Sequence, residues 1–100
     1  MAQSVGLYEL CWTEHALDQL WERGISENRV LQMLSEQPRV YRNRNDDGTR
    51  RVIGPDGGGG FLTLIVALPD DLGRVRVITL WESSAAERTL HSRPGGTDHV

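Results

Sequence analysis

The spacing of apolar positions changes several times along the chain, and each change predicts an element. Residues 6–12, GLYELCW, alternate loosely between apolar and polar, which predicts a first strand. From Thr13 the spacing becomes helical: Leu17, Leu20 and Trp21 recur at i, i+3 and i+4 as one apolar stripe. Thr13 reads as the N-cap, because its hydroxyl can accept from the free amides of the next turn. Gly24 stops this helix at C′. Ser26 caps a second helix, whose stripe is Val30, Leu31 and Leu34 and which ends at Pro38.

RVYRNR and TRRVIG flank Asp47-Gly48, a turn signal between two extended runs, and so predict a β-hairpin. PDGGGG (55–60) reads as a flexible loop and not a phosphate loop, since the lysine and following helix of that motif are missing. FLTLIVAL (61–68) is apolar on both faces, as a central strand would be. RVRVITLW (74–81) is rich in β-branched residues and predicts the next strand. In SSAAERTLH, Ser84 followed three residues later by Glu87 fits a capping box at the start of a short helix. Residues 92–100, SRPGGTDHV, have little to pack and read as a tail behind a single domain over 1–91. The order is β-α-α-β-β-β-β-α without repeats. A mostly antiparallel sheet with helices packed on it, an α+β fold, is the economical architecture.

Composition narrows the class. With 100 residues, 38% hydrophobic and 25% charged, the chain fits one globular domain and not a disordered one. The longest apolar run is far too short for a bilayer, and the start has no leader pattern, so neither a membrane nor export is expected. One cysteine, Cys11, excludes an internal disulfide and makes a reduced, cytoplasmic setting the expectation. The net charge of −3 is unevenly spread. Residues 1–38 carry two arginines against six acids, residues 39–53 five arginines against two acids, and residues 54–100 four arginines against six acids. An acidic chain with one basic stripe can still bind a polyanion through that stripe.

Two places carry candidate chemistry, each with two readings. His15 lies opposite the apolar stripe and just past the N-cap. It is either a solvated surface histidine or a group set where helix amides and dipole favour an anion and a neutral imidazole. In the hairpin, Arg42 and Arg44 share one face, Arg39 and Tyr41 the other, and Arg50 and Arg51 point oppositely. This is either a charge-protected edge or a phosphate-binding stripe with Tyr41 free to stack on a base. Cys11, His15, His91 and His99 have no metal-ligand spacing, and no cofactor motif is present.

WTEHALDQLWERGISENRV resembles the opening of a bacterial family of unknown function that shares an H-A-x-x-R-x-x-E-R-G-I-S pattern. That family is similar to the BrnT toxins and, more distantly, to the RelE-type mRNA interferases. The close, RVRVITLWESSAAERTLH, resembles their last strand and helix, with Glu87 and Arg88 as the Glu-Arg pair. The resemblance covers residues 8–91. It implies a compact RelE-like domain and metal-independent RNA cleavage by attack of the ribose 2′-hydroxyl. On it, His15 is the general acid/base and Arg51 and Arg76 stabilise the phosphorane. Arg42, Arg44 and Arg50 hold the RNA backbone, Arg88 helps from the last helix, and Arg23 matches the family arginine before Gly-Ile-Ser. A cognate antitoxin or another protein partner would cover the basic hairpin. Two departures stand out: position 19 is Gln where the pattern has Arg, and the chain is acidic and lysine-free. They keep open the alternatives of an inactive protein-interaction or accessory module of the same fold, and of nucleic-acid binding without catalysis.

Overall fold

In a computed structural model the described residues are 2–5, 8–36, 38–42, 48–68 and 70–92. The elements run β1 (Ala2–Val5), β2 (Tyr8–Trp12), α1 (Glu14–Arg23), α2 (Glu27–Ser35), β3 (Arg39–Arg42), β4 (Thr49–Pro55), β5 (Phe61–Ala67), β6 (Arg74–Glu82) and α3 (Ala85–Ser92). The expected α+β order is present, with β1 added in front. AQSV has no alternation to announce a strand, and it joins the sheet by antiparallel pairing with β2. Ser92, the first residue of the expected tail, closes α3; residues 93–100 lie outside the described residues.

The strand order is β1-β2-β6-β5-β4-β3. Every pairing is antiparallel except β2 with β6, which is parallel. Local chemistry sets the helix ends as expected. The Thr13 hydroxyl accepts from the Ala16 amide at 3.0 Å, Ser26 does the same for Arg29 at 3.1 Å, and Gly24 takes the left-handed conformation at φ 65°. Ser84 and Glu87 form the reciprocal capping box, at 3.2 Å and 2.8 Å.

Helices α1 and α2 cover one sheet face. Ala16, Leu20, Ile25, Val30 and Met33 pack there on Leu10, Trp12, Val52, Leu62, Leu64, Val66, Val77 and Leu80. Each large aliphatic side chain buried in this layer contributes about 1.5–3 kcal/mol. The stripe of α1 differs from expectation. Ala16 and Leu20 form the seam, while Leu17 is 39% and Trp21 88% exposed. The reason is tertiary: the Thr13 amide and hydroxyl donate to the carbonyls of Val77 (3.1 Å) and Ile78 (3.2 Å). That draws the first turn onto β6 and buries Ala16 completely. In α2, Val30 and Met33 are fully buried while Leu31 and Leu34 are half-buried. Gly54 makes β4 possible beside α2: a Cβ there would lie 2.9 Å from Pro38 Cβ and 3.3 Å from Met33 Cγ. No helix among the described residues is long and apolar enough to cross a membrane.

Candidate functional site

Strand register decides which arginines meet. Arg51 pairs with Tyr41 and Ile65, and Arg76 with Cys11 and Ala67. Their neighbours Val52 and Val77 belong to the core beneath α1 and α2. Alternation therefore sends Arg51, Arg74 and Arg76 to the opposite face. A bulge keeps this arrangement along β6: Ile65 pairs with Thr79 but Val66 with Val77, so Ile78 is the extra residue. Val77 and Leu80 can then both face the core. Arg51 and Arg76 lie two strands apart, about 10 Å sideways and roughly 7 Å along the strand direction.

The remaining hairpin arginines do not join them. Arg42 and Arg50 pair with each other and share the α1/α2 side of the sheet with Val52. Arg44 lies outside the described residues. Tyr41 corrects an expectation. It is 3% exposed under α3, and its hydroxyl donates to the Leu90 carbonyl at 3.3 Å, so it offers no ring to a base. The burial follows from its register beside Arg51, on the face that α3 covers.

Helix α3 braces one end of that face. Glu87 accepts from Trp81 Nε1 at 3.0 Å and from the Ser84 amide at 2.8 Å, and its second oxygen lies 3.9 Å from Arg51. Arg51 is thus half-buried and paired. Arg88 stands 5.5 Å over the Phe61 ring, which meets His91 edge-on at 5.3 Å.

The other end of the same face is open. Cys11, Arg76 and Ala67 form one row across β2, β6 and β5. With Leu68, Asp70 and Arg74 they line a recess of about 270 Å³. Arg76 is exposed and has no hydrogen-bond or ionic partner among the described residues. His15 is exposed on the first turn of α1, two residues past Thr13, which is bonded to β6 directly after Arg76. Arg23 is elsewhere: it donates to Gln19 on exposed α1, roughly 12 Å along the axis from His15.

Sequence reasoning missed a cluster. Asp56 is buried, and its Oδ1 accepts from the amides of Gly58 (2.8 Å) and Gly60 (3.0 Å). Its Oδ2 accepts from Arg29 Nε at 2.8 Å, and Arg29 also donates to Glu82 at 3.0 Å. The glycine-rich segment expected to be flexible is therefore tied to α2 and β6. The Gly58 amide, then Arg29 and Gly60, hold the Asp56 carboxyl below its usual 3.8. Asp followed by glycines at +2 and +4 is the local signal that an Asx turn was available. Nothing local announces Arg29 or Glu82. Among the described residues no three His, Cys, Asp or Glu gather in a metal-holding group.

On the α1/α2 side, the end of the sheet beyond α2 leaves an apolar groove of about 300 Å³. Leu34, Pro38, Val52 and Val66 line it, and its rim carries Val40 at 48% and Leu68 at 45% exposure. Arg50 lines it too.

The family described as Domain of unknown function (DUF4258) matches residues 12–82. No curated protein and no solved structure matches the chain.

Proposed function

This chain belongs to the DUF4258 family, and we propose that it is a toxin-like ribonuclease whose RNA lies along the edge where α1 meets β6. His15 takes the proton of the ribose 2′-hydroxyl. The 2′-oxygen bonds to the adjacent phosphorus, and the bond to the 5′-oxygen breaks. That oxygen receives a proton, leaving a cyclic phosphate. Arg76 holds the charge that builds on phosphorus. The observation that carries the reading is Arg76 itself: an exposed guanidinium with no partner among the described residues, on the strand to which the His15 turn is stitched. Arg51, paired to Glu87 and two strands away, does not share that phosphate. Arg42 and Arg50 lie on β3 and β4, two or more strands from β6, and take no part in holding this strand.

The test is cleavage of RNA, free and on translating ribosomes, by purified protein in EDTA. His15→Ala is expected to slow it by about 10²–10⁴, and Arg76→Ala to slow it as well. Cleavage by His15→Ala at the wild-type rate overturns the reading.

The apolar groove favours a second reading, an interaction module of the same fold. Its occupant is an acidic amphipathic segment of a partner protein, since Arg50 lines the groove and Arg42 pairs beside it on the edge strand β3. An antitoxin would supply such a segment. On this reading the complex survives His15→Ala, while Val40→Asp or Leu68→Asp breaks it.

A further inference from the structure

The recess at the open end of the sheet is lined by two arginines that differ in their partners. Asp70 is fully engaged: it accepts from the Leu72 amide (2.9 Å), the Arg74 amide (3.0 Å) and Arg74 Nε (2.8 Å). Arg74 is thereby turned to the Asp70 carboxylate, and Arg76 is the cation of the lining with no ionic partner among the described residues. The floor beside it is Cys11, Ala67 and Leu68, small or apolar side chains without charge. A phosphate on Arg76 would place the ring attached to it over this floor. At about 270 Å³ the recess has room for a flat ring of nucleobase size.

Resting on the RNA reading above, we infer that this recess is a nucleotide subsite: it seats one base of the bound RNA, with the adjoining phosphate on Arg76. Cys11, the sole cysteine, is half-buried in its wall and reports occupancy directly.

The experiment measures the rate at which a maleimide labels Cys11 in His15→Ala protein, so that binding is read without turnover. The competitors are inorganic phosphate, a nucleoside 3′-monophosphate and a short single-stranded RNA. The RNA is expected to slow labelling by about tenfold at a concentration about ten times its Kd, because only the empty site reacts. The monophosphate protects at higher concentration and inorganic phosphate least. Arg76→Gln lowers the dependence of RNA affinity on salt by about 0.7 in log–log slope, one single-strand phosphate contact. Ala67→Leu fills the recess and weakens RNA protection, with its thermal melt confirming the fold. Unprotected Cys11 under saturating RNA overturns the subsite, even if cleavage is found. Equal protection by inorganic phosphate and RNA overturns the base contact. Protection by RNA from a protein that never cleaves supports the subsite and sinks the nuclease reading alone.

Discussion

Replacing Asp56 by alanine tests whether the glycine-rich turn is a structural clamp. The side chain is 8% exposed and receives two amide bonds and an arginine. Each hydrogen bond to a charged group contributes about 1.5–3 kcal/mol. The sum is not recovered in full. Gly58 is exposed, so its amide regains water, and Arg29 keeps Glu82. A net cost of about 2–3 kcal/mol remains, on the order of one charge-assisted bond plus the loosening of the turn. A domain of this size has about 5–15 kcal/mol in all, and each kcal/mol moves Tm by roughly 4–8 °C. Asp56→Ala should therefore melt about 10–20 °C below wild type at pH 7. Urea unfolding should show a lower midpoint with an unchanged slope. Pairing it with Arg29→Met in a double-mutant cycle should give a coupling of about 1 kcal/mol or more. The pH dependence has a definite sign. The Gly58 amide and Arg29 depress the folded-state value of Asp56, so its contribution is present above 3.8 and is lost as pH falls through the lower folded value. The gap between wild type and Asp56→Ala should close in that acid range and be widest near neutrality. A cost under about 0.5 kcal/mol at pH 7, or strict additivity with Arg29→Met, refutes the clamp.

Three further outcomes follow from burial and contact. Gly54→Ala should cost about 1–3 kcal/mol in urea unfolding, because its methyl would meet the Pro38 backbone at 3.0 Å. Trp21→Ser should leave stability within about 0.5 kcal/mol of wild type, while Leu20→Ala on the same helix costs about 2–5 kcal/mol; equal effects would reverse the assigned seam. Tyr41→Phe should cost about 0.5–1.5 kcal/mol in urea unfolding through the lost bond to Leu90; an unchanged midpoint would show that the bond contributes nothing to stability.

What the sequence determined by itself was every element but β1, and the caps of the helices. Thr13, Gly24, Ser26 and the Ser84–Glu87 box act within four residues of chain, so composition and spacing suffice to place them. The opposition of Arg50 and Arg51 was legible for the same reason, since alternation along a strand is local. Which side each faced was not, because a one-residue change of register exchanges the two faces. Only the pairing of Arg51 with Ile65, and of Arg76 with Ala67, put those two arginines on one surface and sent Arg42 and Arg50 to the other. The remaining decisions span long stretches of chain. Thr13 reaches Ile78 across 65 positions and draws the first turn of α1 onto β6, leaving Trp21 facing outward. Arg29 reaches Asp56 across 27 and Glu82 across 53. Such contacts exist only once the sheet order is set, and no local spacing encodes them.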